Sequence, residues 1–372
     1  MNDLATRLDL LSLPADTARE QLRGHFAARG QPVYRAGQVL DWVYAKDAFS
    51  FAEMSNLPHT EREALAERFD LTAPGVAKLS RSGDGTAKHL WSLRDGELLE
   101  SVLIPAPERL TLCLSSQAGC AMACAFCATG WAGFRRQLST GEILAQFRGA
   151  RAWARANGYG ELTNVVFMGM GEPLANRKAV LPALHLLNHA YGVGARRITV
   201  STVGIVPGIR ELAALPEQYR LAVSLHAPTH ELRQQLIPGE KRWPLPELLD
   251  ALRAFDAAGG KRITFEYVMI DGVNDAPELA DRLAALVREF KAFVNLIPFN
   301  PIPGSDWKPS PPARLRAFQQ RLEARGIPVE VRTPRGRDIA AACGQLRAEV
   351  TEQQRRAPLR VVSRTVQPAQ PA

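Results

Sequence analysis

The sequence predicts an α/β fold: parallel βαβ units closed or partly closed into a (β/α)6-type barrel. A small helical unit precedes it, and a strand-and-loop extension follows. Three observations carry this. From residue 110 onward, short β-type runs alternate with amphipathic stretches, the pattern of crossovers in a parallel sheet. Before residue 78, apolar residues recur at helical spacing instead. Polar residues also gather at the C-terminal ends of the predicted strands, where a (β/α) barrel builds its active site.

Residues 1–78 read as a helical domain. In "DTAREQLRGHFAARG", Thr17 and Glu20 have the spacing of a capping box, and Gly30 is the stop signal. "YRAGQVLDWVYAKD" puts Val39, Leu40, Trp42 and Val43 on one helical face, and "MSNLPHTEREALAERFD" gives a further short helix. Such a unit is either a substrate-docking module or a structural cap. Residues 79–109 form a β-rich connector, with Asp95-Gly96 as a hairpin turn. The core over 110–300 has strands in "LTLCLSS", "LTNVVFMG", "RRITVSTVG", "YRLAVSLHAP", "KRITFEYVMI" and "FVNLIPFNP". Between them lie helices such as "STGEILAQFRGARAWARANG", which Ser139 and Glu142 open as a capping box. The extension over 301–355 contains the strand "IPVEVRT" and Cys343. The stretch 356–372, basic and rich in Pro, Ala and Gln, is predicted to be a disordered tail.

Composition excludes several classes. At 372 residues, 46% apolar and 23% charged, the chain is globular and long enough for more than one domain. No apolar run approaches a membrane span, and the N-terminus has no apolar signal core, so a cytoplasmic location is expected. Five cysteines in such a chain argue for metal binding or catalysis and against a disulfide framework. The net charge of +8 means either good solubility or a polyanionic partner.

Ser115, Gly169–Glu172, Ser201, His226 and Asn300 all fall at or just past strand ends. In "GCAMACAFCATG", Cys120, Cys124 and Cys127 are spaced C-x3-C-x2-C. A structural zinc site requires a fourth ligand, which His226 or His89 would have to supply in space. A four-iron cluster normally takes four thiolates, so three leave one iron open to a small chelating molecule. Leu110, Leu112 and Leu114 alternate with Thr111, Cys113 and Ser115, so Cys113 is expected to face the barrel lumen.

C-x3-C-x-(aromatic)-C, with Phe126 as the aromatic residue, resembles the signature of radical S-adenosylmethionine (SAM) enzymes. The resemblance implies a radical SAM barrel and one 4Fe–4S cluster on Cys120, Cys124 and Cys127, with SAM at the vacant iron. It also implies SAM contacts at Gly171, Glu172, Ser201, Ser224, Leu225, His226 and Asn300.

Nearly the whole chain resembles the radical SAM adenine-C2 RNA methyltransferases. The resemblance includes "YRAGQVLDWVY", "TLCLSSQAGCAMACAFCATG", "VVFMGMGEPLAN", "VSTVGIVPGI", "AVSLHAP", "NLIPFNP" and "RGRDIAAACGQL". It implies that a first SAM methylates Cys343, that a second supplies an adenosyl radical, and that the activated methyl joins adenine C2. Glu100 would take the C2 proton, and Cys113 would resolve the protein–RNA adduct, leaving a disulfide for a reductant. Without the resemblance, Glu100 reads as an ordinary exposed strand residue. The implied partners are 23S rRNA at the peptidyl-transferase loop, tRNA next to the anticodon, and a low-potential donor such as flavodoxin or ferredoxin. No membrane or obligate protein partner is expected. Close relatives methylate adenine C8 with the same cysteines, and "GEPL" with the full helical domain leans toward C2. A rival class is a zinc-stabilised RNA-binding protein.

Overall fold

A computed structural model of the chain describes residues 7–259 and 262–347, together with the backbone of Arg360–Val361. The N-terminal unit contains α1 (Ala15–Ala28), α2 (Arg35–Tyr44) and α3 (His59–Arg68). On α2, Val39, Leu40, Trp42 and Val43 are buried, as their spacing predicts, and they join Leu22, Phe26 and Leu65 in a core of their own. The Thr17 capping box is not formed. Helix α1 starts earlier, behind Pro14, with no side-chain cap, which leaves Thr17 within its first turn. Proline's fixed φ suits a helix entry without a capping hydroxyl. Gly30 ends α1 with φ +66°, and the Gln31 N–H donates back to the Phe26 carbonyl at 2.8 Å.

The main sheet begins with an antiparallel meander, β1 (Gly75–Arg81), β2 (Ala87–Ser92) and β3 (Leu98–Ala106). Gly96, at φ +85°, makes the expected turn between β2 and β3. Strand β4 (Arg109–Cys113) pairs antiparallel with β3 and parallel with β5 (Asn164–Phe167). Then β6 (Ile198–Thr202), β7 (Arg220–Ser224), β8 (Ile263–Met269), β9 (Ala292–Pro298) and β10 (Val329–Val331) add in sequential parallel order. Strand β10 is an edge, so the barrel stays open. The 79–109 connector is therefore part of the same sheet, and β1 straddles the expected boundary at residue 78. The predicted disordered tail lies outside the described residues except for Arg360–Val361, which instead pairs antiparallel with β1.

The helix Thr140–Ala156 opens as predicted. Ser139 Oγ accepts from the Glu142 N–H at 3.1 Å, and the Glu142 carboxylate accepts from the Ser139 N–H at 2.9 Å. The N-terminal unit docks on this helix. Arg151 pairs with Asp47 in a buried contact, Arg148 donates to the Ala48 carbonyl, and the Gly141 N–H donates to Ser12 Oγ at 3.1 Å. Among the described residues, no helix is long and apolar enough to cross a membrane.

Candidate active site

A cavity of about 840 Å³ runs along the concave face of the open barrel. Because side chains alternate along a strand, the central strands β4, β7, β8 and β9 line it with every second residue. Strand β4 contributes Arg109, Thr111 and Cys113, and β7 contributes Arg220, Ala222 and Ser224. Strand β8 contributes Thr264, Glu266 and Val268, and β9 contributes Asn295 and Ile297. Leu110, Leu112 and Leu114 are buried on the opposite face. The strand starts thus carry arginines, while the strand ends meet the cysteine loop.

That loop bends tightly. Gly119 has φ +77°, and a Cβ there would lie 1.9 Å from the Gly133 carbonyl oxygen, so only glycine fits. Ala123 adopts φ +52° between the first two cysteines. The Cys120 N–H donates to the Gly133 carbonyl at 3.0 Å, and the Cys127 N–H to the Cys124 carbonyl at 3.1 Å. Cys120, Cys124 and Cys127 all line the cavity. Burial pushes Cys120 up to about 12 and Cys124 well above the usual thiol range, with repulsion among the cysteines adding to it. Cys120 and Cys124 would therefore ionise here only against a cationic partner such as a metal centre.

The histidines do not complete a zinc site. His89 lies outside the cavity lining, stacked on Trp91 with ring centroids 4.9 Å apart and edge-on to Trp153. His226 does line the cavity. Its Nδ1 accepts from the Val268 N–H at 3.0 Å, which assigns the ring proton to Nε2. Burial, helped by the Arg233 charge, pulls its pKa down to about 3 and keeps the ring neutral. Its backbone is held at φ +57°, a conformation that costs a non-glycine residue about 1–3 kcal/mol and is commonest at functional sites. The ring packs edge-on against Phe126 of the cysteine loop, 4.5 Å between centroids.

Gly171 and Glu172 follow β5. A Cβ on Gly171, at φ +100°, would come within 2.5 Å of Gln117 Cβ. Gln117 Oε1 accepts from the Glu172 N–H at 2.7 Å. The Glu172 carboxylate takes backbone N–H groups from Val203 at 2.8 Å and Leu174 at 3.0 Å. Desolvation outweighs these bonds and raises its pKa to about 7. A cation arriving in the cavity would restore its charge. Ser201, Ser224 and Asn300 line the same cavity. Leu225 does not: its side chain is fully buried in the main core, so only its backbone is available to a ligand. Ser115 is also internal, its Oγ accepting from the Met170 N–H at 2.8 Å, and it acts as a strut between β4 and the loop after β5.

Cys343 sits in a segment pinned over the strand ends. The Ala128 N–H donates to the Gly344 carbonyl at 2.7 Å, Thr129 Oγ1 to the Leu346 carbonyl at 2.6 Å, and Asn300 Nδ2 to the Cys343 carbonyl at 3.1 Å. Its side chain is exposed, but to the cavity rather than to open solvent, so desolvation still raises the thiol pKa. Cys113 is buried on the same cavity, its pKa raised by burial and then by the neighbouring Cys343. Glu100 is buried, not exposed as its isolated strand suggests, and it does not line this cavity. Lys88 Nζ lies 2.8 Å from its carboxylate, and the Arg347 N–H donates to it at 2.9 Å. The Cys343 segment thus covers Glu100. Glu266, hydrogen-bonded by Asn295 Nδ2 at 2.9 Å, was missed in the sequence. The alternation that places Cys113 in the lumen would also have placed Glu266 there.

An open parallel barrel with a three-cysteine loop at its strand ends defines a radical SAM enzyme, and residues 114–283 match the radical SAM superfamily. The N-terminal unit, over 13–71, matches the ribosomal RNA large subunit methyltransferase N-terminal domain. A dual-specificity RNA methyltransferase RlmN of Anaeromyxobacter dehalogenans is 48% identical over 347 residues, 92% of each chain. A probable one from Gemmatimonas aurantiaca is 51% identical over 343 residues, 92% of this chain and 93% of its own. The crystal structure of a radical SAM methyltransferase from Sphaerobacter thermophilus superposes with a TM-score of 0.87 at 46% identity, covering 92% of this chain and all of the other. The chain belongs to the RlmN family of radical SAM RNA methyltransferases, which work with SAM and an iron–sulfur cluster.

Proposed function

We propose that this protein methylates C2 of adenine in the peptidyl-transferase loop of 23S rRNA and next to the tRNA anticodon, through a methyl-cysteine at Cys343. The observation that carries this reading is that Cys113 and Cys343 share one cavity with the cluster cysteines. Adenine C2 is electron-poor and does not attack a methyl cation equivalent, whereas a thiolate does. Cys120, Cys124 and Cys127 would hold one 4Fe–4S cluster. Glu172 would bind the SAM ammonium, with Gly171, Ser201, Ser224, the Leu225 backbone, His226 and Asn300 around the rest. When bound, these groups supply an electrophilic methyl and, with two SAM per turnover, a hydrogen-abstracting radical.

The chain's own residues do the rest. Cys343 carries the methyl, and Glu100 receives the C2 proton once the segment covering it shifts, as the adduct gives up one electron. The Cys113 thiolate then attacks the Cys343 sulfur, the sulfur–carbon bond breaks, and the freed carbon takes a proton to complete the methyl group on the base. The disulfide left behind calls for a reducing compartment, the cytoplasm, and a low-potential donor such as flavodoxin or ferredoxin supplies electrons. The N-terminal unit would dock RNA away from the reacting base, since none of residues 7–71 lines the cavity. Its exposed Tyr34, beside Arg35, offers a stacking surface.

Nucleoside mass spectrometry after anaerobic reaction tests the reading. 2-Methyladenosine is expected, and 8-methyladenosine would move the site to C8. Cys113→Ala is expected to accumulate a covalent protein–RNA adduct, and Cys343→Ala to form neither adduct nor product. Normal turnover by the Cys343 variant would overturn the proposal.

A further inference from the structure

Four strand starts in the core repeat one pattern: an arginine, an aliphatic residue, then a small residue, as "RLT" at 109, "RIT" at 197, "RLA" at 220 and "RIT" at 262. Three of these arginines, Arg109, Arg220 and Arg262, line the cavity at the end away from the cysteine loop. Burial, and after it the positive charges of Arg262, Arg109 and Arg196, lower the Arg220 pKa. The Arg262 guanidinium stacks over the Phe293 ring at 4.4 Å, which holds it flat at the opening. Glu330 also lines the cavity and faces Arg332 at 4.0 Å. At the other end, the cysteine loop and the Cys343 segment close over the strand ends through the bonds of Ala128 and Thr129.

Resting on the function proposed above, we infer that RNA enters through the arginine-lined mouth at the strand starts, and that Arg109, Arg220 and Arg262 clamp the phosphates flanking the target base. A cluster of mutually repelling guanidiniums is stabilised by a polyanion and by little else. Cys113 lies four residues along β4 from Arg109, about 13 Å at the rise of a strand. A nucleotide together with the reach of an extended arginine side chain covers that distance. A base beside Cys113 therefore leaves its backbone among the arginines. An acidic protein donor is the other polyanion to consider, but it has to approach the cluster, which lies at the opposite end.

The test compares the full-length, cluster-loaded protein with two triple variants. One is Arg109→Ala, Arg220→Ala and Arg262→Ala. The other removes the same charge from exposed outer-helix positions, Arg282→Ala, Arg288→Ala and Arg316→Ala. The probe is a short RNA stem-loop with an unpaired adenine. Methylation of Cys343, which needs no RNA, reports that each variant is folded and binds SAM. The mouth variant is expected to methylate Cys343 normally yet bind the stem-loop at least ten-fold more weakly. Its salt dependence should be shallower by about 0.7 in log–log slope per lost phosphate contact. Equal affinity and slope in the two triple variants would overturn the entry route while leaving the methyltransferase reading intact. Loss of reduction by flavodoxin with unchanged RNA affinity would also overturn it and assign the mouth to the donor. Failure of the parent protein to methylate any RNA would overturn the reading on which the inference rests.

Discussion

Histidine burial in this protein has two faces. His226 is kept neutral inside the cavity, where its Nε2–H is free to donate to a ligand. His89 is kept neutral between Trp91 and Trp153, with desolvation pulling its pKa down to about 3. The sign of the effect on stability follows. The folded state refuses a proton that the unfolded chain accepts below pH 6.5, so stability is complete above that value and falls as pH drops toward 3. Each such histidine contributes a slope of at most about 1.4 kcal/mol per pH unit. Urea midpoints measured from pH 7.5 to 5 should decline for the parent protein, and His89→Phe should flatten the decline, with buried His25 and His226 carrying the remainder. An unchanged slope would mean that His89 takes its proton in the folded state.

Ser139 and Glu142 show how much one element depends on local chemistry. Their reciprocal bonds start the helix that carries Arg148 and Arg151 to the N-terminal unit. Ser139→Ala should cost about 1 kcal/mol, read as a lower denaturation midpoint. This capping box was legible in the sequence because both partners lie in one turn. The Thr17 pattern looked equivalent and was not, because Pro14 sets the start of α1 from outside the motif. The parallel strands and most long helices were legible from periodicity. Short helices such as Val206–Ala214 and His230–Leu236 were not, since one or two turns give too little period to read. The cysteine loop was plain because its three cysteines sit within eight residues. The burial of Glu100 was hidden, because it is covered by a segment some 240 residues away in the chain.

At the scale of the whole molecule, the N-terminal unit is tied to the main core through Asp47 and the loop around it. Asp47 pairs with Arg151 in a buried contact and with Arg155 at 3.0 Å. Asp47→Ala leaves a buried guanidinium without its partner, a loss of about 3–5 kcal/mol. Limited proteolysis should then release a fragment near residues 1–71 faster than from the parent protein, while cluster content stays unchanged. An equal cleavage rate would show that the docking rests on other contacts.

The missing wall beyond the edge strand β10 has a consequence of its own. An adenine in the middle of a polymer has no free end nearby, so a sealed tube could receive it only by threading. Because the barrel is open along one side, the arginine-lined mouth at the strand starts widens into a slot that would accept a bight of chain, with both continuations running back out past the arginines. Substrate length then sets no limit. An enzyme of this shape acting as proposed would reach an internal position of a long RNA as readily as one in a short RNA, because nothing has to be pulled through.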